Sequence, residues 1–260
     1  MYKTVEIDNR SMITFSRLGS FGRLGNQLFQ IAAVLGLAKN NNTNAKFNKW
    51  EYSKYFKNPI DDSGIDSSRF VKYSEKEFCY SPIPFLGDMD LVGYFQSDKY
   101  FSHCVDDILK HFEFVDSLDD GSIDPDTETC SIHIRRGDYV NLVGYHPLMG
   151  MEYYSKAIDS MRAKGSKKFY FFSDDIRWCK ENFGLTDEYV YIEGNQDIKD
   201  LFLMSKCKNN IIANSSFSWW GAWLNRNGSK RVIAPSIWFG ELSRDKNNTN
   251  DLYCKDWEIF

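Results

Sequence analysis

The sequence predicts an α/β protein in which two Rossmann-like domains face each other across a cleft. In the second half, short apolar strands alternate with helical patterns, and the first half opens with a strand, a glycine-rich turn and a helix. The two halves are separated by DSLDDGSIDPDTET at 116–129, an acidic stretch with Gly and Pro that is typical of a linker. We therefore predict an N-terminal α/β domain over residues 1–125 and a C-terminal Rossmann-like domain over residues 126–260.

The second half carries the clearer pattern. Between the predicted strands, apolar residues recur every three or four positions over 151–164 and 198–207, which indicates helices. Near-continuous apolar strands separated by helices favour a parallel, doubly wound sheet. The predicted strands lie at 130–134, 168–172, 189–192, 210–213 and 231–234.

The first half begins with the strand candidate MITFSRL at 12–18. The turn GSFGRLGN at 19–26 follows, and then a helix with an apolar stripe formed by Leu24, Leu28, Ile31 and Leu35. The turn lacks the G-x-G-x-x-G spacing of dinucleotide-binding proteins, which argues against a dehydrogenase.

Composition excludes several classes. A net charge of −4 argues against a protein that coats nucleic acid, so we predict no nucleic-acid partner. The longest apolar run, IAAVLGLA at 31–38, is too short to cross a bilayer, and MYKTVEIDNR has no apolar signal-peptide core. The six scattered cysteines form no C-x-x-C pair, so we expect reduced thiols and no zinc site. These features predict a cytoplasmic protein without an integral membrane segment.

Polar residues follow three of the predicted strands. Arg135-Arg136-Gly137-Asp138 follows the first, Ser173-Asp174-Asp175 the second, and Asn214-Ser215-Ser216-Phe217 the fourth. Ligands of open α/β sheets bind outside the carboxyl ends of the strands, so these segments are expected to line one site. The sequence predicts that this edge is cationic and lined with hydroxyls.

The paired arginines suit a diphosphate, because guanidinium groups bind phosphate oxygens bidentately and stay charged. Neighbouring residues of a strand point in opposite directions, so one arginine is expected to face the ligand and the other to face carboxylates. We assign Arg135 to the ligand. The alternative is a salt bridge from one arginine to Asp138, for which Arg136 is the main candidate.

Hydroxyl and backbone N–H groups at a helix start bind phosphate, and Ser215 and Ser216 precede the predicted helix FSWWGAWLN. A plain helix cap is the alternative for either serine. In the first half, Asn26 offers an amide to sugar hydroxyls. Asp200 could accept two hydrogen bonds from guanine, although a solvated helix face is the default for a residue in QDIKDLFLMSKC. The D-x-D segments at 88–90 and 124–126 do not follow convincing parallel strands, and we predict no metal site.

Several motifs resemble the bacterial α-1,2-fucosyltransferases of glycosyltransferase family 11. They are HIRRGDYV, FFSDD, NIIANSSFSWWGAWLN, GRLGNQLFQIA and GYFQSDKYF, and together they cover the chain from about residue 15 to its end. One departure is visible, since the chain has Gly22-Arg23 where the family commonly has two glycines.

The resemblance implies a GT-B-like fold, GDP-β-L-fucose as donor substrate, no cofactor and no required metal. It also implies inverting transfer of L-fucose to O2 of a terminal galactose in a glycan acceptor. The N-terminal domain would then be the acceptor side and the C-terminal domain the GDP-fucose side. The resemblance also implies a role in surface polysaccharide synthesis in a bacterial cytoplasm. Peripheral contact of the protein with the inner membrane is compatible with this role.

The resemblance and the strand-end residues together give the predicted site. Arg135 is expected to bind the donor diphosphate, and the backbone of His133 and the carboxylate of Asp200 to bind guanine. Candidates for the general base are Asp138 and His146. The alternative for Asp138 is orientation of the arginines, and the alternative for His146, which precedes Pro147, is a loop or packing role. The predicted donor-binding residues are Gly25, Asn26, His133, Arg135, Arg136, Ser173, Asp174, Asp200, Asn214, Ser215, Ser216 and Phe217. The rival interpretations are a fucosyltransferase of another linkage and a nucleotide-sugar-binding protein without turnover.

Overall fold

The computed structural model describes residues 11–124 and 127–260 and contains two parallel β-sheets. The chain divides into two compact units, Met1–Val115 with Asn250–Leu252, and Asp116–Thr249 with Tyr253–Phe260. The units divide earlier than the predicted boundary after residue 125, which itself lies outside the described residues. The acidic segment therefore starts at the division, and its Asp119 forms an ion pair with Lys206 in the second unit.

The first unit contains a four-stranded sheet of order β2-β1-β4-β3, in which all pairs are parallel. Helix α1 follows the glycine-rich turn and buries most of its length, which agrees with the predicted apolar stripe. The elements of this unit are β1 (Met12–Thr14), α1 (Leu24–Asn40), β2 (Asn44–Ala45), β3 (Val71–Ser74), β4 (Met89–Val92) and α2 (Val105–His111).

The second unit contains a six-stranded parallel sheet of order β10-β9-β8-β5-β6-β7. Counted within this unit, the order is that of a Rossmann fold, and all five strands predicted for this half are present. The elements are β5 (Thr129–Ile134), α3 (Met151–Ala163), β6 (Lys168–Ser173), α4 (Ile176–Phe183), β7 (Tyr189–Tyr191), α5 (Asp197–Lys206), β8 (Asn209–Ile211), α6 (Ser216–Trp223), β9 (Val232–Ala234) and β10 (Glu258–Ile259).

The core of the second unit explains why its strands read as apolar runs. All six residues of β5 are buried, as expected of a central strand covered on both faces. Ile132 and Phe171 of the sheet pack in one cluster with Ile158 of α3. The central sheet thereby fixes the positions of the loops that follow β5, β6 and β8.

Within residues 11–124 and 127–260, no helix combines the length and apolar character needed to cross a bilayer. All six cysteines are free thiols, and four of them are buried.

Candidate active site

The loops after β5 and β8 lie at the point where the strand order of the second sheet reverses. β5 and β8 are neighbours in register, with Ile132 opposite Ile211, although the chain forms β6 and β7 between them. Such a reversal creates a crevice outside the carboxyl ends of the two strands, which is where α/β proteins bind ligands. We call the segments that follow β5, β6 and β8 the strand-end site. They are Arg135–Asp138, Ser173–Asp175 and Asn214–Phe217.

Arg135 is held between two carboxylates at the end of β5. One guanidinium nitrogen lies 2.6 Å from Oδ2 of Asp174, and the other terminal nitrogen donates to Asp138. The register that sets Ile134 opposite Ser173 brings Asp174 beside Arg135. The guanidinium also lies 5.1 Å from the ring centroid of Tyr139. With its side chain only 15% exposed, Arg135 is fixed in place before any ligand arrives.

Arg136 is oriented differently, as the alternation of strand side chains requires. Its Nε donates to Asp175 at 3.1 Å, and its guanidinium lies 4.0 Å over the ring of Trp178. The alternative of a salt bridge from one arginine to Asp138 holds for Arg135 and not for Arg136. Both arginines therefore contact carboxylates, and the aromatic packing of Arg136 supports a structural role for it.

The expectation of a cationic edge is also wrong for the side chains around the arginines. Two guanidiniums face the carboxylates of Asp138, Asp174 and Asp175, so the cluster has no positive excess. Sequence alone does not show this, because Asp174 and Asp175 reach the arginines only through the register of β5 with β6. A guanidinium carries five N–H donors, more than its two carboxylate contacts use, so Arg135 can hold its partners and still donate to phosphate.

Gly137 allows the close approach of the two loops. A Cβ at this position would lie 2.4 Å from Oδ2 of Asp174, the same oxygen that binds Arg135. Asp174 also accepts a hydrogen bond from the backbone N–H of Arg136 at 2.8 Å. A side chain at Gly137 would push Asp174 away from Arg135, so the glycine of the R-R-G-D stretch belongs to the site.

Ser215 is the N-cap residue of α6, but its hydroxyl accepts no capping hydrogen bond. Its carbonyl instead accepts the N–H of Trp219 at 3.0 Å, which starts the helix. The plain-cap alternative is therefore wrong for the Ser215 side chain. Ser216 begins the helix, and the first turn of α6 brings backbone N–H groups and the positive end of the helix dipole to the strand-end site.

The buried His133 and the half-buried Phe217 pack together beside these loops. Their rings are 5.4 Å apart, and the Nδ1 atom of His133 is buried without a hydrogen-bond partner among the described residues. Burial, assisted by the nearby Arg135 charge, lowers the pKa of His133 to about 3, so the imidazole is neutral at physiological pH. The carbonyl of His133 accepts a hydrogen bond from Tyr154 Oη at 3.2 Å, so this part of its backbone is already engaged.

Asp200 lies in a cavity of about 290 Å³ that adjoins the strand-end site. Burial raises the pKa of its carboxyl to about 6, and Asn195 Nδ2 donates to its Oδ1 at 3.0 Å. The solvated-helix alternative for Asp200 is therefore wrong. The cavity unites three residues predicted separately with five others. Its lining residues are Ser173, Asp174, Ile176, Ile192, Glu193, Gly194, Asn195 and Asp200.

Glu193, Gly194 and Asn195 were missed by the sequence prediction. They follow β7 after Ile192, and the strand at 189–192 was itself predicted. The rule that ligands bind at carboxyl strand ends would have included them, had it been applied to this strand as well.

Tyr139 and His146 form a second layer behind Arg135. Their rings stack at 4.6 Å with an interplanar angle of 15°, and His146 also packs 5.9 Å from the ring of Phe239. Tyr139 Oη donates to the carbonyl of Asn214 at 3.3 Å. Burial lowers the pKa of His146, so its imidazole is neutral near pH 7. Tyr139 was not among the predicted site residues, although it lies within the motif HIRRGDYV.

Asn214 fastens two loops to the end of β8. Its buried Nδ2 donates to the carbonyls of Pro147 at 3.0 Å and Trp238 at 3.1 Å. The amide nitrogen of Asn214 thus donates to backbone carbonyls of the protein, while its Oδ1 is buried without a hydrogen-bond partner in the described part of the chain.

Replacing Asn214 with alanine is expected to lower the free energy of unfolding by about 1–3 kcal/mol, because one buried and one part-buried carbonyl lose their donor. Urea unfolding followed by tryptophan fluorescence measures the change. Asn182→Ala is the matched control, since the exposed Asn182 donates to a single backbone carbonyl. The control is expected to stay within about 0.5 kcal/mol of the wild type. Equal stability of the two variants would contradict the clamping role.

Gly25 and Asn26 are distant in sequence from the other predicted site residues. They lie in the first turn of α1, which belongs to the first unit. Asn26 Oδ1 accepts a hydrogen bond from Gln96 Nε2 at 2.8 Å. In the same unit, Asp88 accepts the N–H of Met12, and the buried Asp90 accepts from the N–H and hydroxyl of Ser16, so this D-x-D serves the fold.

The second D-x-D, at 124–126, lies partly outside the described residues. In the parts that are described, no three His, Cys, Asp or Glu side chains converge in a way that could hold a metal.

The α/β units and the strand-end site define a GT-B-like glycosyltransferase. A model of glycosyl transferase family 11 matches residues 64–259. An α-1,2-colitosyltransferase of Escherichia coli is 32% identical over 91% of this chain and 95% of its own length. The galactoside α-(1,2)-fucosyltransferase 2 of Oryctolagus cuniculus is 26% identical over 80% of this chain and 66% of that protein. The chain therefore belongs to glycosyltransferase family 11.

Among solved structures, the NodZ α-1,6-fucosyltransferase soaked with GDP-fucose superimposes with a TM-score of 0.54. It covers 87% of this chain and 95% of its own length at 11% identity, so the likeness concerns the fold. The predicted family and the predicted GT-B-like α/β class are confirmed.

Proposed function

We propose that this enzyme transfers L-fucose from GDP-β-L-fucose to O2 of a terminal galactose, forming an α-1,2 linkage with inversion and without a metal. The observation that carries the proposal is the convergence of Arg135, the start of α6 and the Asp200 cavity at one sheet edge. The named activities of the colitosyltransferase and galactoside fucosyltransferase relatives support the linkage.

In the proposed reaction, the bond between the fucose anomeric carbon and the β-phosphate oxygen breaks, and a bond to the acceptor oxygen forms. The departing GDP gains negative charge. The N–H groups of Arg135 and of the first turn of α6, with the hydroxyls of Ser215 and Ser216, stabilise this charge where other enzymes use a cation. Guanine would occupy the 290 Å³ cavity, where Asp200 accepts hydrogen bonds from its N–H groups.

The proton of the acceptor hydroxyl must pass to a base. Asp138 and His146 were the candidates, and their contacts favour different roles. Asp138 binds the Arg135 guanidinium, which supports a positioning role. The neutral His146 imidazole can accept a proton, and its stacking on Tyr139 holds the ring behind Arg135. Because His146 lies in the layer behind Arg135 and Asp138 is bound to Arg135, the contacts single out neither residue, and both stay candidates for the base in this proposal.

The direct test is incubation with GDP-fucose and a panel of galactosides, with mass and linkage analysis of the product. An α-1,2-fucosylated galactoside supports the proposal. A product of another linkage, or GDP-fucose binding without product, would contradict it. A colitosyl donor belongs in the same panel, because the relative that is 32% identical carries that activity.

Adding EDTA to the transfer assay is expected to leave the rate unchanged, because Arg135 and the start of α6 supply the charge stabilisation. Initial rates with EDTA, and after adding back Mg²⁺ or Mn²⁺, measure this. A rate that collapses with EDTA and returns with one metal would refute the metal-independent part of the proposal.

A further inference from the structure

Two aromatic rings stack at the carboxyl ends of neighbouring strands in the first unit. Phe21 lies in the glycine-rich turn after β1, and Tyr94 follows β4. Their centroids are 4.8 Å apart with an interplanar angle of 18°. The guanidinium of Arg17 lies 4.3 Å from the Phe21 centroid. Tyr94 nevertheless remains 36% exposed, so part of its ring is available to a ligand at this edge.

The backbone that carries Tyr94 is held rigidly. The Glu75 carboxylate accepts the N–H of Tyr94 at 2.7 Å and the N–H of Phe95 at 2.9 Å. Phe95 has a φ of +52°, a conformation that is costly for a bulky residue, and its ring is fully buried against Tyr100. Strain of this kind persists where the surroundings enforce it, and it concentrates at ligand-binding sites.

Two amide side chains tie the loops together beneath the rings. Gln30 Nε2 donates to the carbonyls of Phe21 at 2.9 Å and Gly93 at 3.3 Å. Gln96, in the loop after β4, donates to Asn26 in the first turn of α1. The exposed ring therefore lies on a preorganised surface beside the Arg17 guanidinium, and the amides of Gln30 and Gln96 brace the loops beneath it.

We propose that Tyr94, supported by Phe21, is the platform on which the acceptor's galactose ring stacks. One face of galactopyranose presents C–H groups that pack on an aromatic face, while its hydroxyls need amide or guanidinium partners at the edge. The inference rests on the proposed function: the strand-end site of the second unit supplies groups for the nucleotide, and the acceptor needs a binding surface of its own. The platform lies at the carboxyl edge of a parallel sheet, where ligands of α/β units bind.

The test compares Tyr94→Ala and Tyr94→Phe with the wild type in the transfer assay. Tyr94→Ala is expected to raise the acceptor KM on the order of 10-fold, through loss of the aromatic face. Tyr94→Phe keeps the face and is expected to stay within about 2-fold of the wild type. The KM for GDP-fucose and the Kd for GDP are expected to be unchanged in both variants. Phe21→Leu, which removes the supporting ring, is expected to shift the acceptor KM in the same direction as Tyr94→Ala.

Phe85→Ala is the matched control, because Phe85 is 40% exposed and precedes β4, at the opposite end of the strand from Tyr94. An unchanged acceptor KM in Tyr94→Ala overturns the proposal, and so does an increase confined to the KM for GDP-fucose. If the wild type transfers no fucose, the proposed function fails by itself. An NMR titration of wild type and Tyr94→Ala with a free β-galactoside then tests the platform, and equal binding by both overturns it.

Discussion

Replacing Arg135 with alanine is expected to reduce fucosyl transfer by on the order of 10²–10³, the usual cost of losing one preorganised donor to developing charge. The effect should fall mainly on kcat, because the charge on the departing GDP grows in the transition state. Arg135→Lys is expected to recover only part of the activity, since an ammonium keeps the charge but lacks the planar fork. Steady-state kinetics with GDP-fucose and a galactoside measure all three enzymes.

The Arg135→Ala protein is expected to stay folded. The two carboxylates that lose their partner, Asp138 and Asp174, are 42% and 28% exposed, so water can solvate them. Pairs of this exposure typically contribute about 1 kcal/mol or less. Arg226→Ala, at an exposed position of the same unit, is the control and is expected to retain full activity. Near-normal turnover by Arg135→Ala would remove the central group of the proposed mechanism.

The neighbouring Arg136→Ala variant sharpens the comparison. Arg136 packs over Trp178 and binds Asp175, so its loss should act on stability more than on turnover. If Arg135→Ala and Arg136→Ala lose turnover to the same extent while their stabilities are equal, both arginines bind the donor substrate.

The sequence predicted the second sheet well because its strands are buried on both faces. β5 and β6 read as apolar runs, and the helices between the strands keep their spacing. Three of the four edge strands, all but β7, gave no such signal. β2 and β10 have two residues each, and β3 exposes three of its four residues. Their pairing is decided by neighbours distant in sequence.

The sequence predicts which residues lie at the strand-end site, but not which side chains form ion pairs there. Parallel strands end at one edge, so Arg135, Asp174 and Ser215 could be grouped from sequence. Which carboxylate each arginine binds depends on the register that sets Ile134 opposite Ser173. The stacking of Phe21 on Tyr94 could not be predicted either. The two residues are 73 positions apart in the sequence, and only the pairing of β1 with β4 brings them together.

Asp200→Asn is expected to weaken GDP binding roughly 10- to 100-fold, because an amide cannot accept from guanine's N–H groups as a carboxylate does, and hydrogen bonds to charged groups contribute about 1.5–3 kcal/mol. Discrimination against ADP should fall with it, since adenine lacks the N1–H and the 2-amino group. Calorimetric titration of both nucleotides at pH 8 measures these changes. Asp197→Asn, an exposed position on the same helix, makes the same charge change outside the cavity and is the control.

The pH dependence of GDP binding follows from the pKa of Asp200, which is raised to about 6. Below this value the carboxyl is protonated and loses its charge, so GDP affinity of the wild type should fall as the pH drops through 6. The terminal phosphate of GDP titrates in the same range. The informative quantity is therefore the ratio of wild-type to Asp200→Asn affinity, which is expected to shrink toward pH 5. A ratio that stays constant from pH 8 to pH 5 would exclude Asp200 from guanine binding.

Stability should change in the opposite direction. The folded pKa of Asp200 is raised above the ordinary value of 3.8, so protonation favours the folded state and this contribution is lost as the pH rises through 6. At pH 8 the buried carboxylate therefore costs stability, and Asp200→Asn should raise the free energy of unfolding by about 1–2 kcal/mol after allowance for partial exposure. The gain should be smaller at pH 5, where the wild-type carboxyl is mostly protonated. If Asp200→Asn is more stable than the wild type without GDP and binds GDP more weakly, the Asp200 carboxylate destabilises the fold and contributes to GDP binding. A purely structural role for Asp200 predicts instead that the variant is less stable and binds GDP normally.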